Sequence, residues 1–202
     1  FFCSPNNPSG NAFNNEDIQL LLDNFNGIIV IDEAYIDFTD LPSWSKKQSE
    51  YPNLIITQTL SKAFGMAGLR LGIAIASPEI IALLTRIKPP YNINTLSQKE
   101  AIASLNDVEM YTIQIEEIKS ERMRLEQLFA TLPWVDWVYP SDANFLLVKV
   151  DDASKRYAAL LENKIVSRDR SSQLNCKNCI RISVGTVEEN DKLIAVCKSL
   201  TI

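Results

Sequence analysis

Three short aliphatic runs constrain the fold of this chain more than any other feature of its sequence. Ile28 to Ile31 is a continuous β-branched run that ends at Asp32, and Leu54 to Thr57 and Leu69 to Ala76 repeat the pattern. Such runs are typical of strands that are buried on both faces of a parallel sheet. Because helical signals lie between them, the sequence predicts an α/β layer with a mainly parallel sheet.

The helical signals are caps and breakers that flank these runs. Asn14 or Asn15 can cap a helix whose first turn is acidic, and Gly27 ends that helix. Ser77-Pro78-Glu79 supplies a cap, a first-position proline and an early acid for the next helix. The first half of the chain therefore alternates strand and helix.

A proline break divides the chain. Two prolines in Lys88-Pro89-Pro90-Tyr91 cannot continue a helix, so we place a domain boundary close by. Residues 1–92 would be the remainder of a large α/β domain, and residues 93–202 a smaller α+β domain that includes a long connecting helix. In this second part the sequence predicts three helices: one from about Val108 to Leu132, one from about Ala153 to Glu162, and a last helix with the capping box Thr186-Val187-Glu188-Glu189. It also predicts four strands, at Trp134 to Tyr139, Phe145 to Val150, Ile165 to Ser167 and Ile180 to Val184.

Charge and the first residues narrow the class of protein. Phe1-Phe2-Cys3 opens without methionine, as though the chain begins inside a strand, and predicts the later part of a longer protein. A net charge of -5 disfavours a nucleic-acid binder, which needs a basic face. No apolar stretch reaches the roughly 18 to 20 residues of a membrane span, and no segment resembles a signal peptide. The cytoplasm is the expected location.

The cysteines indicate neither a metal site nor disulfides. Four cysteines include one Cys-x-x-Cys pair, Cys176 and Cys179, and the chain has no histidine. A zinc site would need two further ligands, so no metal is expected. A chain long enough for a core and without signs of secretion is not expected to depend on disulfides. The absence of histidine also excludes nucleophilic sites that pair serine or cysteine with histidine.

The acids after the first aliphatic run have more than one interpretation. Asp32-Glu33 behind four apolar residues has the pattern of a Walker B strand, whose acids handle Mg²⁺ and water. That interpretation requires a Gly-x-x-x-x-Gly-Lys-Ser/Thr loop, which this sequence lacks. Asp32 can otherwise cap a turn or bind another ligand, because ligands of open α/β sheets bind at the carboxyl ends of strands.

Three further segments carry polar groups that are unremarkable singly. Ser4-Pro5-Asn6-Asn7-Pro8-Ser9-Gly10 has the composition of a turn. Lys62 lies in a glycine-containing loop after a strand, a place where a surface lysine is the usual expectation. Arg70 follows eight residues later. Arg181 interrupts an apolar strand, where a charge is costly unless it is paired with an anion. Their joint order and spacing indicate a shared site.

These segments form four motifs: Ser-Pro-Asn-Asn-Pro-Ser-Gly, Ile-Asp-Glu-Ala-Tyr-Ile-Asp-Phe, Thr-Leu-Ser-Lys-Ala-Phe-Gly-Met-Ala-Gly-Leu-Arg-Leu-Gly and Ile-Arg-Ile-Ser-Val-Gly-Thr. Together they resemble the fold-type-I, pyridoxal-phosphate-dependent aminotransferases. The resemblance runs through essentially the whole chain but covers only part of the family's usual length. It implies that residues 1–92 belong to the large cofactor-binding domain and residues 93–202 to the small C-terminal domain, with the N-terminal arm and the first part of the cofactor domain absent.

The resemblance implies a role for each polar residue of the motifs. Lys62 would bind the cofactor aldehyde covalently and then act as the general base. Asp32 would pair with the protonated pyridine nitrogen of pyridoxal phosphate, while Tyr35 and Asn7 would hydrogen-bond the 3′ oxygen of the ring. Hydroxyls and a guanidinium would bind the cofactor phosphate, supplied by Thr59, Ser61 and Arg70.

Within the family, the resemblance is to enzymes of histidine biosynthesis. It implies transamination of L-histidinol phosphate with 2-oxoglutarate, giving imidazole acetol phosphate and glutamate. Arg181 would hold the carboxylate of the amino-acid donor, and Arg181 with Arg168, thirteen residues earlier, would hold the substrate phosphate. Asn7 would also contact the substrate. Arg168 at a solvated strand end, and Arg170 as surface charge, are the alternatives.

Other functions stay open from the sequence. A phosphothreonine decarboxylase shares the fold, the cofactor and a phosphorylated substrate, and broad aromatic or aspartate aminotransferases share the motifs. A non-enzymatic effector-binding domain of a transcription regulator can also have this fold. The family forms homodimers and draws further cofactor contacts from segments that precede this chain and from the second subunit. The chain alone is therefore expected to bind pyridoxal phosphate poorly and to lack transaminase activity.

Overall fold

The computed structural model describes residues 1–200, which divide between two compact units. The first unit consists of Phe1–Asn6 and Ala12–Ile115, and the second consists of Asn7–Asn11 and the chain from Glu116 onwards. The domain boundary predicted near residue 92 concerns the complete protein and stays a prediction. Among the described residues, no helix has the length and apolar character needed to cross a membrane.

The first unit is built on a four-stranded sheet of order β1-β2-β3-β4. Its elements are β1 (Phe2–Cys3), α1 (Asn15–Asn24), β2 (Ile29–Asp32), β3 (Leu54–Thr59), β4 (Gly72–Ile75), α2 (Pro78–Ile87) and α3 (Thr95–Leu105). The first three strands are parallel, and β4 runs antiparallel to β3. The prediction of an α/β unit with a mainly parallel sheet is confirmed.

The core of the first unit lies on one face of this sheet. Alternate residues of β2 and β3 bury their side chains against α1, and the cluster comprises Ile18, Leu22, Ile29, Ile31, Trp44, Leu54 and Ile56. Asn14 caps α1, because its side chain accepts the backbone N–H of Glu16 at 3.0 Å. A 3-10 helix over Trp44–Glu50 precedes β3. Because β2 and β3 are parallel, both strands end at the same edge of the sheet.

The second unit is a fully antiparallel sheet of order β5-β6-β8-β7 with helices on one face. Its elements are β5 (Val135–Val138), β6 (Phe145–Val150), α5 (Ala153–Glu162), β7 (Arg168–Asp169), β8 (Cys179–Ser183) and α6 (Val187–Ser199), together with the end of α4 (Val108–Phe129), which begins in the first unit. Fully buried Phe129, Leu146, Val148, Leu160 and Ile180 belong to its core. The predicted capping box of the last helix is present at Thr186 and Glu189.

Three segments differ from the sequence predictions. The run Leu69 to Ala76 was expected to be a buried strand of a parallel sheet, but β4 covers only Gly72–Ile75, lies antiparallel to β3 and is mostly exposed, because Leu69 still belongs to a 3-10 helix over Ala67–Leu69. Ile165 to Ser167 was expected to be a strand, but β7 begins at Arg168. Lys164 adopts a left-handed backbone, with φ 62°, and the Ile165 N–H bonds to the Leu160 carbonyl at 2.9 Å, so this segment caps α5 instead of pairing with a strand. The helix α3 was not predicted at all, although Asn94 caps it through the Ser97 N–H.

Candidate active site

The carboxylate of Asp32 lies where β2 ends. The sheet register pairs Asp32 with Thr57. Its Oδ1 accepts the Ala34 backbone N–H at 3.0 Å, and its Oδ2 lies 3.8 Å from Sγ of Cys3 on the neighbouring strand. Burial, with the negative charge of Asp32, raises the pKa of the Cys3 thiol, so the thiol stays protonated and donates to the carboxylate. Two neighbours therefore fix the orientation of Asp32.

Lys62 and Tyr35 lie against each other in the loops that follow β3 and β2. Nζ of Lys62 is 5.3 Å from the centroid of the Tyr35 ring. The tyrosine is only 7% exposed, so packing holds its ring, whereas the lysine is exposed. A cation over an aromatic face is attracted to the ring. The structure thus brings the predicted lysine and tyrosine together.

Thr59, Ser61 and Arg70 surround the start and end of the Lys62 loop. The hydroxyls of Thr59 and Ser61 are 3.0 Å apart, and the Ser61 N–H donates to Thr59 Oγ1 at 3.1 Å. Arg70 has a left-handed backbone, with φ 56°, and its Nη1 donates to the Ala67 carbonyl at 3.0 Å. Two hydroxyls and an exposed guanidinium make a donor set that suits an anion.

Arg168 and Arg181 lie directly opposite each other on β7 and β8 of the second unit. Nη1 of Arg181 donates to Oδ1 of Asn7 at 2.9 Å, and the Arg181 guanidinium lies 5.0 Å from the Phe145 ring centroid. Nη1 of Arg168 donates to the carbonyl of Ser167 at 3.2 Å. Because like charges on directly opposed residues repel, this pair of guanidiniums also suits an anion.

The loop that carries Asn7 belongs to the second unit because of a close backbone approach. The Gly10 carbonyl accepts the Asp142 N–H at 2.8 Å, and a Cβ at Gly10 would lie 2.5 Å from Oγ of Ser141. Gly10 also has a φ of 85°, which side chains rarely adopt. Glycine is therefore needed for Asn7 to reach Arg181.

The structure gathers the predicted residues into two groups and adds two residues that sequence reasoning missed. The first unit holds Asp32, Tyr35, Thr59, Ser61, Lys62 and Arg70, and the second unit holds Asn7, Arg168 and Arg181. The additions are Cys3, which donates to Asp32, and Glu33, a carboxylate that is only 1% exposed. The alternation Ile29, Ile31, Glu33 along β2 was a signal for the buried acid, since every second residue shares a face.

Comparison with known proteins identifies the family. The model for "Aminotransferase class I and II" matches residues 1–196. The chain belongs to this family. It is 54% identical over 200 residues to the histidinol-phosphate aminotransferase of Flavobacterium psychrophilum, and the match covers 99% of this chain and 58% of that relative.

Solved members of the family have a similar fold. The histidinol-phosphate aminotransferase from Clostridium acetobutylicum has a TM-score of 0.93 at 29% identity, over 99% of this chain and 63% of that one. The enzyme of the same name from Sinorhizobium meliloti, solved in complex with pyridoxal-5'-phosphate, has a TM-score of 0.86 at 27% identity, over 98% of this chain and 57% of that one. This chain thus spans less than two thirds of the length of these aminotransferases.

Proposed function

We propose that the protein is a pyridoxal-phosphate-dependent aminotransferase that transfers the amino group of L-histidinol phosphate to 2-oxoglutarate in histidine biosynthesis. The observation that carries the proposal is the Lys62 amine held against the Tyr35 ring, in the same unit as Asp32 and the Arg70 donor set. The 54% identity to a histidinol-phosphate aminotransferase supports the choice of substrate.

The donor set of the first unit fits pyridoxal phosphate. An exposed primary amine suits the aldehyde, and an oriented carboxylate at a strand end suits a protonated ring nitrogen. Lys62 would be the covalent anchor, Asp32 the partner of the ring nitrogen, and Tyr35 and Asn7 donors to the 3′ oxygen. The phosphate would be held by Thr59, Ser61 and Arg70. When bound, the cofactor supplies an electron-withdrawing ring that makes the carbon next to the substrate amine acidic.

Lys62 would move the proton in this reaction. Its Nζ, free once the incoming amine has displaced it, would accept the proton from the carbon that bears the substrate amine and would deliver it again as the amino group is transferred. The amine must be uncharged for this step, and the adjacent Tyr35 ring limits its positions. Asp32, held by the Ala34 N–H and the Cys3 thiol, would present its carboxylate to the ring nitrogen in one orientation.

Arg168 and Arg181 would select the substrates. A dianionic phosphate offers several oxygens to two guanidiniums, whose mutual repulsion it relieves. The carboxylate of glutamate or 2-oxoglutarate would use Arg181, which the Asn7 carboxamide already orients. We also propose that the complete protein is a cytoplasmic homodimer with a large cofactor domain that includes residues 1–92 and a small domain formed by residues 93–202.

Turnover by the protein expressed from its complete reading frame tests this proposal. Glutamate formation from L-histidinol phosphate and 2-oxoglutarate should require added pyridoxal phosphate. Lys62→Ala should lower kcat by at least about 1,000-fold, because it removes both anchor and base. Lys88→Ala, which removes another exposed lysine, should leave kcat unchanged.

The alternative reactions give different products. Release of carbon dioxide without glutamate would replace the proposal with a decarboxylase, and equal rates on aromatic amino acids would replace the substrate. Residues 1–202 alone should bind pyridoxal phosphate weakly and give no turnover. An active short form would contradict the expectation that further cofactor contacts are needed.

A further inference from the structure

Glu33 is a buried carboxylate directly after Asp32, and three hydrogen-bond donors contact its side chain. It is 1% exposed. Its Oε1 accepts the Trp44 backbone N–H at 2.7 Å, and its Oε2 accepts the Ser43 hydroxyl at 2.6 Å and Nε2 of Gln58 at 2.9 Å. Three donors suit an ionised carboxylate, which only accepts. No lysine or arginine forms an ion pair with Glu33 among residues 1–200.

These contacts join the ends of two strands at the edge that carries the candidate site. The register that pairs Asp32 with Thr57 places Glu33 next to Gln58. Successive residues of a strand point to opposite faces, so Glu33 and Gln58 share the core face while Asp32 and Thr57 share the other. Gln58 directly precedes Thr59, from which the chain runs to Lys62. The hydrogen bond therefore links the backbone that carries Asp32 to the backbone that carries the lysine loop.

The same carboxylate also holds the segment before β3. Ser43 caps the 3-10 helix that begins at Trp44 through its bond to the Ser45 N–H at 3.0 Å. Gln58 Nε2 lies 3.2 Å from the Ser43 hydroxyl and so completes a closed triangle with Glu33. A group with this many short contacts has little freedom, and a buried acid left with fewer donors would be costly.

We propose that Glu33 is a positioning residue for the proposed reaction: it clamps the ends of β2 and β3 from the core face and so fixes the placement of Asp32 relative to Lys62. The inference rests on the proposed function, because Asp32 and Lys62 take their meaning from it. Glu33 itself lies on the opposite face and touches neither substrate nor cofactor. Its loss should therefore affect the chemical step more than substrate affinity.

Glu33→Gln tests the clamp with little change of shape. Its carboxamide has one acceptor oxygen and one N–H donor group, so that donor group must face either the Trp44 N–H or the Ser43 and Gln58 donors, and the three bonds of the carboxylate cannot all be kept. We expect kcat to fall about 10- to 100-fold, since small misplacements of reacting groups have effects of that size, with KM changed less than about threefold. The affinity of the cofactor-free protein for pyridoxal phosphate should fall, and the visible absorbance of the bound cofactor should titrate at a different pH from wild type.

Two further variants separate positioning from folding. Glu33→Gln with Gln58→Glu restores a carboxylate–carboxamide pair in the reverse order, and should recover most of kcat and the wild-type absorbance titration, as expected of coupled neighbours. Glu50→Gln removes an exposed acid from the same 3-10 helix and should match wild type throughout. If Glu33→Gln is too unstable to purify, Ser43→Ala, which removes one donor, should show the same kcat and absorbance changes in weaker form.

The inference is overturned if Glu33→Gln, or Ser43→Ala in its place, lowers only the thermal midpoint and leaves kcat, cofactor affinity and the absorbance titration as in Glu50→Gln. It is equally overturned if the reversed pair recovers none of the lost kcat. A wild-type protein that neither binds pyridoxal phosphate nor forms glutamate would instead overturn the proposed function, and the positioning role with it.

Discussion

Arginines in two regions of the second unit have opposite surroundings. Arg124, on α4, bonds both carboxylate oxygens of Glu121, at 2.9 and 2.6 Å, and Oδ1 of Asp191 at 2.7 Å. Arg168 and Arg181, on β7 and β8, face each other and donate to a main-chain carbonyl and a carboxamide oxygen. The guanidinium of Arg124 is neutralised by acids, whereas the hydrogen bond from Arg168 goes to the neutral carbonyl of Ser167.

The difference distinguishes a charge that stabilises the fold from the charges that we propose bind substrate anions. The pKa of Arg124 is raised by its hydrogen bonds to Glu121 and Asp191, so it stays charged and paired. A pair of like charges facing across two strands weakens the fold unless an anion joins it. Changes in the Arg124 network should therefore alter stability at unchanged activity, and changes at Arg168 or Arg181 should alter substrate binding more than stability.

The largest effect is expected at Arg181. Arg181→Gln should lower kcat/KM for both L-histidinol phosphate and 2-oxoglutarate by about 100- to 1,000-fold, because a charge-assisted contact to an anion is lost with each substrate. Steady-state kinetics with either substrate held saturating provides the measurement. Arg86→Gln, on α2, is the control and should leave both values unchanged. Loss confined to one substrate would show that Arg181 serves a single anion.

Arg168 should show a smaller and more selective effect. Arg168→Gln should raise KM for L-histidinol phosphate about 10- to 100-fold and leave KM for 2-oxoglutarate unchanged, since only the phosphate would use both arginines. The thermal midpoint should rise with inorganic phosphate in wild type and not in the variant. Arg170→Gln provides a neighbouring control. If Arg168→Gln changed KM for L-histidinol phosphate no more than Arg170→Gln did, Arg168 would be ordinary surface charge.

Glu121 should matter for stability alone. Its hydrogen bonds with Arg124 and then with Asn190 hold the pKa of the carboxyl below its usual range. Glu121→Gln should lower the free energy of unfolding by about 1–3 kcal/mol near neutral pH, because the buried Asn190 and the partly exposed Arg124 lose a charged acceptor. Denaturant unfolding measures the loss, and kcat should not change. A folded-state pKa below the unfolded one means that this stabilisation is present above pH ~4.3 and disappears as the pH falls further.

The smallest effect is expected for the pair of Asp151, which is exposed, and Arg156, which is largely buried. Hydrogen bonds from Arg156 lower the pKa of Asp151 from 3.8 to about 2. Its contribution is therefore present above pH 3.8 and is lost as the pH falls through about 2. Because 44% of the Asp151 side chain is exposed, Asp151→Asn should change the free energy of unfolding by less than about 1 kcal/mol. Chemical unfolding at pH 7 and at pH 2 should show the difference only at the higher pH.

Hydrophobic periodicity and helix caps predicted most of the helices and strands. The exceptions have local causes. The strand over Phe145 to Val150 and the helix over Ala153 to Glu162 have the predicted bounds, because each has strong apolar spacing and a clear end. The strand expected over Ile165 to Ser167 is replaced by the cap of α5, because the Ile165 N–H donates to a carbonyl of the preceding helix instead of pairing with a strand. The α3 helix was not predicted because its apolar residues lack a regular helical spacing, which leaves the Asn94 cap as its main sequence signal.

The sequence predicted the residues of the candidate site better than it predicted the residues that hold them in place. Motif order predicted that Lys62 and Tyr35 belong together, and the structure places them in contact. Their catalytic roles stay predictions. The clamp at Glu33 depends on Ser43 and Gln58, which are distant in the chain and carry no motif, so only the register of β2 and β3 reveals it.

Peptide mapping after borohydride reduction tests the central claim most directly. The protein from the complete reading frame is mixed with pyridoxal phosphate, reduced so that the cofactor becomes permanently attached to the lysine that holds it, and digested for mass spectrometry. The account predicts one stoichiometric label, on Lys62, and none in Lys62→Ala. A stoichiometric label on any other lysine, or no label at all, would contradict it.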